Sequence, residues 1–201
     1  NMGKAEYKEM LFWTTEEYTK FANEMMDKPL SYYAFQMLYW CGIRVGELLA
    51  LTPADFDFNN KTVTISKSYQ RLHGEDIITS PKTPKSNRTI KMPQFLCDEM
   101  QEYISMFYEA GENDRIFPIS KSYLHNEMDR GSDKAGVKRI RIHDLRHSHV
   151  SLLIDKGFQP LAIADRVGHE SVDITYRYAH LFPSKQVEMV NTLDEIWKGD
   201  N

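Results

Sequence analysis

Between Arg141 and His149 the chain reads Arg-Ile-His-Asp-Leu-Arg-His-Ser-His. Spacings of three and four place His143, Arg146 and His147 on one face of a helix, a face suited to gripping an anion. Two histidines four residues apart also resemble half of a zinc-protease helix, in which a glutamate follows the first histidine. Here Asp144 stands in that place, and the cationic Arg146 between the two imidazoles would repel a divalent ion. The anion reading is therefore preferred, and no metal or cofactor is expected. For His147 and His149 taken singly, a plain structural role in a capped helix stays open. Further on come Gly168-His169 and Tyr176-Arg-Tyr178, with Tyr178 nine positions beyond His169.

The elements that must position these groups are mostly helical. Thr14 or Thr15 followed by Glu16 and Glu17 reads as a helix start, with Tyr18, Phe21 and Met25 at helical spacing and Pro29 as the stop. Ser31 opens a second helix, Tyr32 to about Cys41, closed by Gly42. A short third helix is expected from near Arg44 through Leu48, Leu49 and Leu51, with a further capping signal at Thr52, Pro53 and Asp55. From Lys61 the period changes to two, with Val63 and Ile65 alternating with Thr62, Thr64 and Ser66. Ile77–Thr79 and Arg88–Met92 complete a small antiparallel sheet. The basic segment Pro81-Lys82-Thr83-Pro84-Lys85-Ser86-Asn87 lies between them as a hairpin tip whose prolines interrupt the ladder. Helices then follow from Pro93 to about Ala110, Ser120 to Ala135, His143 to Lys156, Pro160 to Val167, Ser171 to about His180 and Ser184 to Trp197. The last carries Val187, Val190, Leu193, Ile196 and Trp197 on one stripe, which must pack in its own domain or on a neighbour.

With 201 residues, 41% of them hydrophobic, and no internal repeat or Gly/Ser-rich linker, the chain is long enough for one domain with a sizeable core. No apolar run is long enough for a bilayer and no leader pattern is seen, so a cytoplasmic location is expected. Cys41 and Cys97 are expected to be buried free thiols. The net charge of −4 alone speaks against nucleic-acid binding, yet the charge is unevenly spread. Lys61 to Lys91 holds seven basic residues against two acids, and Arg130 to Arg146 six against two, whereas Asp98 to Arg115 holds six acids against one base. The two basic stretches are those that contain the candidate chemistry.

Taken in order, Gly42-Ile43-Arg44-Val45-Gly46-Glu47-Leu48, Lys82, His143-x-x-Arg146, Gly168-His169 and Tyr178 resemble the motifs of the tyrosine site-specific DNA recombinases, or integrases. The resemblance runs from roughly Thr14 to Pro183. Five ordered motifs are far harder to meet by chance than one short pattern. It implies the α+β, mostly helical catalytic-domain fold of that family with a small antiparallel sheet. It also implies a DNA strand transferase that needs no cofactor and acts on double-stranded recombination sites of a mobile element.

Within that resemblance each residue has a physical role. A phosphodiester under attack concentrates charge on two non-bridging oxygens, which the planar guanidinium groups of Arg44 and Arg146 can bind bidentately. Arg44 can also pair with Glu47. Tyr178 is the implied nucleophile. A phenol with a reference pKa near ~10 needs a base, for which His143 is the candidate. Lys82, with Lys85 in reserve, would protonate the leaving 5′-oxygen, and His169 would hydrogen-bond the phosphate. The family implies a four-protomer synapse on DNA. Residues 12–183 are expected as the core of one catalytic domain, with 184–197 as its C-terminal helix. The core-binding and arm-binding domains of the family are not seen, so the chain is expected to be a monomer alone with weak, salt-sensitive DNA binding. A type IB topoisomerase would share the chemistry without strand exchange. A non-enzymatic helix-turn-helix regulator would use the two short helices around Gly168 but would have no use for Arg44, Lys82 and Tyr178 together.

Overall fold

The computed structural model describes residues 10–81, 83–107, 109–182 and 184–199. Helix α1 (Thr15–Met25) starts at a capping box: the Thr14 hydroxyl accepts from the Glu17 amide at 3.2 Å, and the Thr14 amide donates to the Glu17 carboxylate at 2.8 Å. Pro29, expected to stop α1, opens α2 (Pro29–Cys41) instead. Its missing N–H costs nothing at the first helical position, where no intrahelical partner exists. Helix α2 is buried on nearly every side and forms the spine of the main core, against which α1, α3 (Val45–Ala50) and later helices pack.

The expected single sheet is two sheets. Strands β1 (Phe56–Asp57), β2 (Thr62–Ile65) and β5 (Arg88–Lys91) form one, antiparallel in the order β1-β2-β5, with Val63 opposite Ile90 and Ile65 opposite Arg88. Strands β3 (Ser68–Leu72) and β4 (Glu75–Thr79) form a separate hairpin. Its loop is His73-Gly74, both at positive φ, as a type I′ turn demands. β3 escapes the period-two pattern because only Tyr69 on it is buried. It follows that the segment after Thr79 is not a hairpin tip: it crosses from one sheet to the other, with a single 3-10 turn at Pro84–Ser86. Lys82 lies outside the described residues.

The remaining helices are α4 (Gln94–Ser105), α5 (Lys121–Ala135), α6 (Asp144–Asp155), α7 (Pro160–Val167), α8 (Val172–Tyr176) and α9 (Gln186–Gly199). The helix expected over Ser171 to His180 is broken. α8 ends at Tyr176, and a 3-10 turn follows at Ala179–Leu181. Val150, Ile154, Ile163, Val167 and Tyr178 make a small second core, so packing of α6 against α7 sets the depth of the tyrosine. No residue of α9 is buried. Both cysteines are buried and free. Among the described residues no helix is long and apolar enough to cross a membrane.

Candidate active site

Arg44, His143, Arg146, His147, His169 and Tyr178 line one cavity of about 610 Å³. The two arginines arrive there through Gly42. This residue ends α2 in the left-handed conformation (φ +63°), and a Cβ on it would meet the His149 ring at 2.5 Å. The turn carries the extended Arg44 to the cavity, and the Gly42 carbonyl accepts from Nη1 of Arg146 at 2.7 Å. Arg146 is buried, and its Nη2 has no hydrogen-bond partner in the structure. Burial, with Arg44 close by, lowers its pKa to about 9, so it stays charged at neutral pH. An unpaired guanidinium N–H in a buried cationic cavity is a feature that an anion's oxygen would satisfy.

Arg44 is held from behind. Its backbone N–H donates to Glu47 at 2.8 Å and its Nη1 to the same carboxylate at 3.1 Å. Glu47 is also gripped by Arg88 through two 3.0 Å hydrogen bonds, with side chains 6% and 7% exposed respectively. Burial acts to raise the Glu47 pKa, but the hydrogen bonds and charges of Arg88 and Arg44 outweigh it and hold the carboxyl below its ordinary value. Arg88 further donates to the carbonyls of Arg166 at 3.0 Å and Ser86 at 3.1 Å. It thereby ties β5, the crossing segment and the end of α7 to the carboxylate that positions Arg44. Gly168 permits that approach, since a Cβ there would stand 2.9 Å from the Arg88 side chain.

Three imidazoles surround the arginines. Burial and then neighbouring cations lower His169 to about 3, and its Nδ1 is hydrogen-bonded to the Thr175 hydroxyl at 2.8 Å. Burial, then His147 and Arg146, lower His143 to about 4. Burial also lowers His147, against the pull of Asp144. All three are therefore neutral at pH 7. Tyr178 is 4% exposed, and burial raises its hydroxyl to about 12 against the opposing effect of Arg146. Tyr176, two residues earlier, is 53% exposed and outside the cavity.

The imidazole against the Tyr178 hydroxyl is that of His147, through Nδ1. His143, the base candidate from the sequence, packs edge-on against His147 with ring centroids 4.9 Å apart. The signal for His147 was its helical spacing from His143; its partner, 31 residues on, depends on the fold. His149 faces away from the cavity, and its Nε2 accepts from Arg166 at 3.0 Å. Lys85 is exposed and does not line the cavity. Among the described residues, no group of three or more His, Cys, Asp or Glu could hold a metal ion.

A mostly helical fold here gathers two arginines, three neutral histidines and a buried tyrosine hydroxyl around one cavity. Residues 8–185 match the phage integrase family, and the chain belongs to that family. It is 33% identical to the ICEBs1 integrase of Bacillus subtilis (strain 168), over 94% of this chain and 55% of that protein. The chain thus spans about half the length of curated relatives it matches. Its fold is that of the Tn1549 transposon integrase in complex with a circular intermediate DNA: TM-score 0.78, 20% identity, 96% of this chain and 67% of that one. The catalytic domain of bacteriophage HP1 integrase also matches, with TM-score 0.64 and 20% identity, covering 92% of this chain and 95% of that one.

Proposed function

We propose that the chain is the strand-cutting module of a site-specific DNA recombinase that moves a mobile element by way of a 3′-phosphotyrosyl intermediate. The observation that carries this reading is a tyrosine hydroxyl buried in one cavity with two arginines, one of them with an unpaired Nη2. In the proposed step the Tyr178 oxygen attacks the scissile phosphorus in line with the departing 5′-oxygen. Arg44 and Arg146 bind the two non-bridging oxygens, where charge grows in the transition state. His169 donates a hydrogen bond to the same phosphate, and His143 lines its approach. Lys82 gives the leaving 5′-oxygen its proton, an assignment that rests on the family resemblance. One phosphodiester is exchanged for another, so no ATP is consumed, and attack by a partner strand's 5′-hydroxyl reverses the step.

Duplex DNA at the element's ends is the proposed substrate. In support, relatives are named integrases and a structural neighbour was solved with a circular intermediate DNA. Assembly to a tetramer on DNA is proposed through α9. Its Val187, Val190 and Leu193 are exposed, and Glu188, Asp194 and Glu195 accompany them. A cavity of about 810 Å³ between α6, α7 and the start of α4 is lined by Leu152, Phe158 and Ile163, with Lys91, Lys156 and Arg166 beside them. These match the stripe in polarity and oppose it in charge. The test of the chemistry is covalent trapping on a nicked duplex bearing the element's junction. Tyr176→Phe should retain the protein–DNA adduct and Tyr178→Phe should lose it; an adduct with Tyr178→Phe would end the proposal.

A further inference from the structure

In the structure the two nitrogens of His147 face different partners. Nδ1 meets the Tyr178 hydroxyl, while Nε2 stands 3.8 Å from Oδ1 of Asp144, one helical turn back. Asp144 is fully buried and held still: Arg141 donates to it from Nε at 3.0 Å, from Nη2 at 2.8 Å and from its backbone N–H at 2.8 Å. We propose that His147 is the catalytic base that takes the phenol proton of Tyr178, with Asp144 as the positioning residue that selects its tautomer and receives the imidazolium. This rests on Tyr178 being the nucleophile.

Two features favour His147 over His143 for this step. The Tyr178 hydroxyl bonds to His147, whereas His143 packs against the His147 ring. The Asp144 carboxylate, 3.8 Å from Nε2, favours through its charge the tautomer with the proton there, which leaves the Nδ1 lone pair free for the phenol. Of the charges that act on the ring, Asp144 favours an imidazolium while Arg141 and Arg146 oppose it. On its own helix and the turn before it stand Asp144, Arg141 and Arg146, with His143 at the cap; from other elements come Tyr178, His169, Arg177, His180 and Arg44. His147 is neutral at rest, and Asp144 is the one carboxylate among these groups.

The balance is simple. The Tyr178 O–H bond breaks and an Nδ1–H bond forms as the Tyr178 oxygen bonds to phosphorus. The P–O5′ bond breaks, and the 5′-oxygen takes a separate proton from the Lys82 ammonium. On rejoining, Tyr178 is the leaving group, and the same His147 proton returns to it. One imidazole therefore serves as base in cutting and acid in resealing, as reversibility requires.

The test uses the full chain and two nicked junction duplexes, one with the natural bridging 5′-oxygen and one with sulfur in its place. Sulfur departs without a proton, so it rescues loss of the leaving-group acid but not loss of the nucleophile's base. His147→Asn keeps a polar atom near the Nδ1 position and cannot take a proton. It should fold and bind DNA as before, yet form adduct about 10²-fold or more slowly on both duplexes. Its rate should climb with pH as hydroxide replaces the missing base. Lys82→Ala should recover on the sulfur duplex. Asp144→Asn should slow the reaction and be partly restored by His147-independent, high-pH conditions. A His147→Asn rate within about threefold of the parent, with the same pH profile, overturns the proposal, because a hydrogen-bonding prop is all that Asn preserves. Rescue of His147→Asn by sulfur also overturns it, by making His147 the acid. An adduct in Tyr178→Phe instead removes the nucleophile reading on which it rests.

Discussion

Replacing Arg88 by Met removes the guanidinium that grips Glu47 with two side-chain hydrogen bonds, and it leaves a carboxylate 6% exposed with Arg44 as its remaining cationic partner. Breaking a buried pair from one side costs about 3–5 kcal/mol, because the surviving charge stays desolvated. Arg44 still compensates in part, so the lower end, about 3 kcal/mol, is expected, and it corresponds to a melting point lowered by roughly 6–12 °C in a domain of this size. The pH dependence has a definite sign. In the parent chain the Glu47 pKa is depressed, so its contribution is complete above the unfolded carboxyl value of about 4.3 and is lost as pH falls through the lower folded value. Without Arg88, burial dominates and the carboxyl rises above its unfolded value. The penalty of Arg88→Met should therefore be largest at neutral pH and shrink on acidification below about pH 5. Glu47→Gln in the same chain should return part of the lost stability, since no charge is then stranded. Urea titrations at pH 7 and pH 4.5 measure all of this. A loss under about 1 kcal/mol at pH 7, or a loss that grows on acidification, would show that Arg88 does not hold a stranded charge in place.

Arg146→Lys keeps a charge but cannot donate to the Gly42 carbonyl and also fork onto a phosphate, so adduct formation should fall about 10²-fold or more with DNA affinity little changed; kinetics on a nicked duplex check this. Gly42→Ala must adopt φ +63° and drive a methyl group into the His149 ring, so it should destabilise by about 1–3 kcal/mol in chemical denaturation and impair adduct formation through Arg44 and Arg146 together. Leu193→Asp on the exposed stripe of α9 should leave the monomeric fold intact and reduce assembly on DNA, read by the size of the complex in solution.

Much of the architecture is legible in local chemistry. Gly42, Gly136 and Gly168 each follow a helical run, and each adopts the left-handed conformation that ends it. Thr14 with Glu17 marks the start of α1 in the same local way. What local chemistry does not reveal is decided over distance. β3 presents one buried residue in five, so no alternation marks it, and without it β4 falls into the wrong sheet. Pro29 carries both a stop and a start signal, and only packing of the chain around it selects the start.

The candidate site divides along the same line. That Arg44 pairs with Glu47 could be read from a spacing of three, but the grip of Arg88 on that carboxylate spans 41 residues. Likewise the sequence places His143 and His147 on one face, yet which of them meets Tyr178 depends on where the chain returns after α8. A polar group's partner is a tertiary fact even when its element is a local one.

Trypsin can tell the two neighbouring tyrosines apart, because Arg177 stands between Tyr176 and Tyr178 and cleavage after it puts them in different peptides. The chain is trapped on a nicked junction duplex, digested with nuclease and trypsin, and the nucleotide-bearing peptide is sequenced by mass spectrometry. The nucleotide should be found on Tyr178, in the peptide beginning at that residue. A nucleotide on Tyr176, or on any other side chain, would contradict Tyr178 as the nucleophile.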